Sequence, residues 1–410
     1  MAHPKILAFV LAGGKGERLA PLTDLRTKPS VPFGGRYRIV DFVLSNLVNS
    51  HIYSIYLLVQ YKSQSLIEHV RRNWGLSPII KDHFVTVVPP QMKMGPEWFQ
   101  GTADAVYQNV NLIQDHNPEI VIVFGADHIY RMDIRQMIDF HLEKNADVTV
   151  AARPVSLAEA SAFGVISTDR NSRIIGFHEK PKNPIPMQGS DDRALVSMGN
   201  YVFNRSVLME ALLCSVDNQH DFGKHVIPSF VSSGKMFAYD FSTNAVPGTK
   251  RYEERGYWRD VGTIEAYYWA HMDMLGKTPI FDLHNGQWPI HPARYQGPAA
   301  TVLKAEIENS IISEGAIIDN AKIVNSVIRR DTVIESGALI EESIIMDHTV
   351  VGKECRLKRV IIDKFNVLQE GTEIGFDPER DRRAGIYHYA DDGIVVIPKA
   401  QRDLRSVCQP

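Results

Sequence analysis

Hydrophobic positions divide the 410-residue chain into two regimes. Up to about residue 240, short aliphatic runs alternate with amphipathic stretches. Residues 6–12, 55–59, 85–88, 120–124, 148–152 and 199–203 read as strands, and residues 103–114 and 134–143 carry helical spacing. This alternation predicts an α/β domain with a mostly parallel sheet covered by helices. Prolines at 247, 279, 289, 292 and 298 punctuate the next stretch, which holds one helical piece at 264–275 and reads as the close of the first domain and a link to a second. From residue 311 the pattern changes. Ile312, Ile318, Ile323, Ile328, Ile334, Ile340, Ile345, Val351, Leu357, Ile362, Leu368 and Ile374 recur every five or six positions, which is neither a helical period nor an alternation. That is the mark of a parallel β-helix of hexapeptide repeats, in three or four coils of about 18 residues. Irregular β-sandwich strands are the alternative, because the regular glycines of a strict hexapeptide are mostly absent. The expected boundaries are 1–275, a linker at 276–300, and 301–410.

Composition narrows the function classes. Hydrophobic residues at 44% and charged residues at 23% are those of a soluble globular protein. With 45 basic against 48 acidic residues, the net charge of −3 leaves no excess to hold a nucleic acid backbone. Cys214, Cys355 and Cys408 are widely spaced without a C-x-x-C pair, so no disulfide framework or zinc site is expected, and a reducing cytoplasm fits. No segment approaches the ~18 uninterrupted apolar residues of a membrane span.

The candidate chemistry begins in the loop after the first predicted strand, LAGGKGERLAPLTDLRTK at residues 11–28. Gly13, Gly14 and Gly16 would let backbone N–H groups close on phosphate oxygens, with Arg18 and Lys28 adding positive charge. Lys15 precedes Gly16 and Glu17 follows it, so no P-loop is present; Leu19 stands where a dinucleotide fingerprint needs its last glycine. The loop alone is equally readable as a tight strand-to-helix turn. Asp127, at the end of the 120–124 run, and Asp260 are candidate carboxylates for a magnesium ion bound to phosphates, though a strand-end aspartate is as often a helix cap. His128, His220 and His225 lack any metal-ligand spacing, and no G-x-S-x-G marks a serine nucleophile, which favours direct transfer between two bound substrates. Glu179 and Lys180 could hold sugar hydroxyls and a sugar's phosphate, or form an exposed turn before Pro181. Gly101, Thr102 and Asp104 open a helical pattern whose start could also read a nucleobase or ribose.

These segments resemble the sugar-phosphate nucleotidylyltransferases. LAGGKGERLAPLT is shared by the wider superfamily. RTKPSVPFGGRYRIVDFVLSN, WFQGTADAV, FGADHIYRMD, ASAFGV, EKP, SMGNYVF, HDFGK and YWRDVGT are similar to the branch that makes ADP-glucose, and together they cover nearly the whole chain. The resemblance implies a Rossmann-like catalytic domain, a left-handed β-helix serving assembly and regulation, and transfer of AMP from ATP to glucose 1-phosphate on the route to glycogen or another α-glucan. It further implies that Gly13, Gly14, Gly16 and Arg18 hold the ATP phosphates and that Lys28 neutralises charge at the reacting phosphoryl group. Gln91, Gly101, Thr102 and Asp104 would lie near the nucleotide, Phe99, Gly164, Glu179, Lys180 and Ser197 would bind glucose 1-phosphate, and Asp127 and Asp260 would hold Mg²⁺. Homotetramers with sugar-phosphate or related metabolite effectors are typical of the family. Phe99 stands where many bacterial members carry Tyr, which keeps the ring and removes a hydroxyl. Leu25 stands where members activated by fructose 1,6-bisphosphate carry Lys.

Overall fold

Strand β1 (Ile6–Ala12) lies at the centre of the first domain, and its two faces are both buried. Ala8, Val10 and Ala12 point into one apolar layer, while Leu7 and Phe9 point into the other. The continuous apolar run of the sequence follows from this, since a strand covered by helices on both faces has no solvent side. The computed structural model describes residues 4–77, 79–92, 95, 97–213, 221–385, 388–390 and 392–400; Cys214, His220 and Cys408 lie outside them.

Around β1 the sheet is built from β2 (Ser54–Val59), β3 (Phe84–Val88), β4 (Ile120–Gly125), β6 (Val148–Ser156), β7 (Gly164–Thr168), β8 (Ile174–Glu179), β9 (Arg193–Asn204) and β10 (Met236–Asp240). Its order is β8-β7-β9-β4-β1-β2-β3, with β6 joining β9 and β10 joining β6. The β4-β1-β2-β3 half is parallel throughout, whereas β9 runs antiparallel to β4, β6 and β7. A separate ladder of β5 (His128–Tyr130) and β11 (Trp258–Asp260) pairs antiparallel, with Asp260 opposite His128. One expected helix is broken: residues 103–114 form two helices, Thr102–Tyr107 and Val110–His116. At the break, the Asn109 side chain donates to the Ala105 carbonyl at 2.8 Å, the local bonding by which asparagine competes with a continuous helix. No helix among the described residues is long and apolar enough to cross a membrane.

The second region stacks short parallel strands into coils. Successive strands pair residues 16 or 17 apart, as in Ile317↔Val333 and Val333↔Val350, rather than the expected 18 or so. Left-handed residues stack at the corners. Asn309, Asn325, Glu342 and Arg359 form one column of left-handed residues, and Gly315, Asp331, His348 and Phe365 another. Asn and Asp adopt this conformation more readily than other side chains, and stacking of the corners, with Asn309 donating to Asn325 at 2.6 Å, supports the rest. The residues of the five-to-six period fill the interior: Ile318, Ile323, Ile334, Ile340, Val351, Leu357 and Ile374 are fully buried there.

One coil face seals against the first domain. Ile344, Met346, Ile361 and Val396 pack on Phe33, Tyr267, Met274 and Phe281, while their neighbours Ile345, Ile362 and Val395 turn into the coil. A buried polar seam crosses this contact. The Arg329 guanidinium donates to Asp347 at 2.9 Å and to the Phe33 carbonyl at 3.0 Å; Arg26 pairs with Asp363, and Lys364 with Asp347. Burial pulls Lys364 down to about 8 despite the facing Asp347, whose own carboxyl is held well below its usual range by Arg329 and Lys364 against the opposing effect of burial. Arg329→Ala removes one counter-charge of a buried carboxylate and uncovers the Phe33 and Gly34 carbonyls, to both of which Arg329 donates. It is expected to cost about 3–5 kcal/mol, read as a fall in the urea-unfolding free energy.

Candidate active site

A cavity of about 730 Å³ opens at the carboxyl ends of β1 and β4, the edge at which open α/β sheets hold ligands. Its floor is the glycine loop. Gly16 is left-handed at φ 68°, and a Cβ there would lie 3.1 Å from Lys28 Cβ and 3.2 Å from the Thr23 methyl, so glycine is demanded by both conformation and space. Thr23 Oγ1 donates to the Gly16 carbonyl at 2.9 Å and fixes the turn. Gly14 has open space around it, leaving its backbone free for a close approach by ligand.

Lys28 is buried beneath this loop, and its ammonium bridges two carboxylates, at 2.7 Å from Asp260 and 3.1 Å from Asp127. Burial alone would lower the lysine, but the two facing carboxylates outweigh it and raise its pKa. Asp127 shows the converse: burial pushes it up, and Lys28 with His128 brings it well below its usual range. Arg18, largely exposed, reaches within 3.8 Å of Asp260. Ligand atoms of Asp127, His128 and Asp260 lie within 4.8 Å of one another, and His128 Nδ1 is buried without a hydrogen-bond partner among the described residues. Two carboxylates beside a phosphate-sized opening fit a divalent cation, since hard cations take oxygen ligands from protein and phosphate together.

Across the cavity, Glu179 ends β8 between two glycines. A Cβ on Gly164 would come 2.5 Å from the Phe177 ring and 3.0 Å from Glu179 Oε2, and one on Gly223 would come 2.8 Å from that oxygen, so Gly223 makes room for the carboxylate and Gly164 for the Phe177 ring as well. Burial first, and Asp221 next, raise its pKa, with Lys180 and Lys224 opposing. Lys180 follows in the left-handed region, its ammonium 3.8 Å from Glu179 and mostly exposed. Ser197 sits at a register shift in β9, where its hydroxyl accepts from Gly199 N–H at 3.1 Å.

All the residues expected in the site line this cavity except Gln91 and Asp104. Gln91 is exposed, donating to the Pro89 carbonyl at 2.9 Å. Asp104 is buried and accepts from Gln100 N–H and the Gln108 amide, both at 2.8 Å, which fixes the start of its helix. Phe99 and Thr102 do reach the cavity, and Thr102 is tied to the opposite wall by accepting from Phe222 N–H at 2.9 Å. His225 stays outside, accepting from Asp221 N–H. Gln60, Asp221 and Gly223 line the cavity and were not found from sequence. Gln60 donates to the Phe99 carbonyl at 3.1 Å, while its Oε1 is buried with no partner among the described residues. Gly223, inside HDFGK, was findable as a glycine before a basic pair; Gln60 carries no local signal.

The nucleotidyl transferase family model matches residues 7–277, two thirds of the chain. The chain belongs to the nucleotidyl transferases. A second model, the GlmU-like C-terminal hexapeptide, matches residues 292–397. The glucose-1-phosphate adenylyltransferase of Thermodesulfovibrio yellowstonii is 64% identical over 97% of both chains. Proteins of the same name from Photobacterium profundum and Anaeromyxobacter sp. are 48% and 47% identical over 97% of this chain and 98% and 99% of their own. This family member is therefore similar to adenylyltransferases from end to end.

The charge balance at Lys28 is open to measurement. Lys28→Ala is expected to raise the Asp127 carboxyl, since the ammonium that bridges it to Asp260 is then lost. Carbon-13 NMR of aspartate-labelled protein reads the change; an unmoved Asp127 titration would mean that Lys28 does not hold it ionised.

Proposed function

We propose that the chain transfers the adenylyl group of ATP to α-D-glucose 1-phosphate, giving ADP-glucose and pyrophosphate, the first committed step toward glycogen or another α-glucan. The observation that carries this reading is the Lys28–Asp127–Asp260 group, set under a glycine loop and sharing one cavity with Glu179 and Lys180. The amides of Gly13, Gly14 and Gly16, with Arg18, hold the polyphosphate. Gly101, Thr102 and Phe99 form the wall between nucleotide and sugar. Glu179 accepts from sugar hydroxyls, Lys180 faces the sugar's phosphate, and Ser197 and Gly164 shape that end. A phosphate oxygen of glucose 1-phosphate attacks the α-phosphorus in line with departing pyrophosphate. The attacking group is already an anion, so no side chain has to remove a proton, and positioning with charge neutralisation by Lys28 and Arg18 lowers the barrier. Asp127 and Asp260 would hold Mg²⁺, which supplies further neutralisation of phosphate charge when bound.

Assembly as a homotetramer and control by sugar-phosphate or related metabolites belong to the same reading. Support for assembly comes from Leu303, Ile307 and Ile317, which leave apolar surface exposed on the first two coils. Support for control comes from the seam between the domains, where three cations, Arg26, Arg329 and Lys364, face two carboxylates, Asp363 and Asp347. The cytoplasm is the matching compartment, with Cys355 a buried free thiol.

Pyrophosphate release with glucose 1-phosphate and each of ATP, UTP, dTTP and GTP tests the assignment: ATP is expected to be preferred, and a preference for UTP would contradict it. Lys28→Ala is expected to lower kcat by at least ~100-fold, about 3 kcal/mol of transition-state stabilisation. An unchanged rate would contradict the role given to Lys28, whereas no turnover of the unmutated chain with any of the four nucleotides would favour an effector-binding subunit.

A further inference from the structure

One side chain on the cavity rim ties two of its walls together. Thr102 opens the helix Thr102–Tyr107, directly after Gly101, and its exposed hydroxyl crosses to residues 119 and 120 positions further along the chain. It accepts from Phe222 N–H at 2.9 Å and donates to Asp221 Oδ2 at 3.3 Å. Phe222 begins a short helical turn, Phe222–Val226, and the first N–H groups of such a turn lack a carbonyl partner within it. Asp221 caps the turn from its own side, with Oδ1 accepting from Lys224 N–H at 3.0 Å. Thr102 caps it from the facing wall. The single proton of the hydroxyl is directed at Asp221, so none is left for a phosphate oxygen of a nucleotide.

Gly223 lies between these two caps. A Cβ there would come 2.8 Å from Glu179 Oε2 and 3.4 Å from Asp221 Oδ1, so the backbone of the turn forms the seat of the Glu179 carboxylate. Contact therefore runs from Thr102 through Asp221 and Phe222 to Gly223, and from there to the group assigned to the sugar hydroxyls.

We propose that Thr102 is a positioning residue for the sugar phosphate and not a nucleotide contact: its hydroxyl holds the Asp221–Gly223 turn against Glu179 and so sets the pocket for glucose 1-phosphate. The inference rests on the adenylyl-transfer reading, which places Glu179 at the sugar end.

Two measurements on the full chain separate the roles: the KM for glucose 1-phosphate at saturating ATP, and calorimetric binding of ATP alone. Thr102→Val keeps the branched shape and removes both hydrogen bonds. It is expected to raise the KM for glucose 1-phosphate at least ~5-fold while ATP affinity, which also reports that the variant is folded, changes by less than ~2-fold. Thr102→Ser restores the hydroxyl and is expected to return the KM to within ~2-fold of the unmutated chain. In a Glu179→Ala background the valine substitution is expected to cost less than it does alone, because the group it positions is gone. An unchanged KM, a loss of ATP affinity as large as the rise in KM, serine no better than valine, or additive effects with Glu179→Ala would overturn the proposal. If the unmutated chain turns over a different nucleotide and sugar phosphate, the adenylyl-transfer reading falls, and the same KM comparison with that pair still decides the role of Thr102.

Discussion

One buried ammonium, Lys28, holds together two carboxylates that would otherwise repel. Asp127 and Asp260 sit 99 and 232 residues away from it in sequence, and they meet only because β4, the β5–β11 ladder and the glycine loop converge on one edge of the sheet. The same lysine limits the loop above it, since any side chain at residue 16 would press on Lys28 Cβ. Glycine loop, paired carboxylates and counter-charge are thus a single packed unit. Loss of the ammonium leaves two acids with a net repulsion in a partly buried setting, where Coulomb interactions are stronger than in water.

The rest of the fold keeps that unit rigid. Layers on both faces of β1 fix the strand that feeds the loop, and the antiparallel β9 carries Ser197 to the far wall. Glu179 occupies space left by two glycines from different elements, Gly164 on β7 and Gly223 beyond Asp221. The coils hold the first domain from behind through an apolar contact, the bond from Arg329 to the Phe33 carbonyl and the Arg26–Asp363 pair. Ser313 Oγ donates to the Gly35 carbonyl at 2.8 Å, so even the segment following Lys28 is anchored to the second region.

Much of this was legible in the sequence because it rests on local pattern. The bounds of β1 and of the helix Ile134–Glu143 follow directly from apolar runs and helical spacing, and the five-to-six period announces the coils. What was not legible depends on contacts far apart in the chain. The helix break at Asn109 needs a side chain to choose the Ala105 carbonyl, a choice that spacing does not encode. Coils of 16 or 17 residues turn at corners that take Asn, Asp, Glu, His and Phe where a strict repeat would put glycine. Gln60 enters the cavity through its bond to the Phe99 carbonyl, and Asp104 turns to its own helix start rather than to the cavity.

A site that works by positioning and neutralisation, with no covalent intermediate on the protein, predicts one stereochemical outcome. ATP made chiral at the α-phosphorus by a single sulfur substitution is converted with glucose 1-phosphate, and the configuration of the ADP-glucose analogue is determined. Direct in-line attack by the sugar phosphate predicts inversion. Retention would mean two successive displacements through a protein nucleophile, and would contradict the role given to the Lys28–Asp127–Asp260 unit.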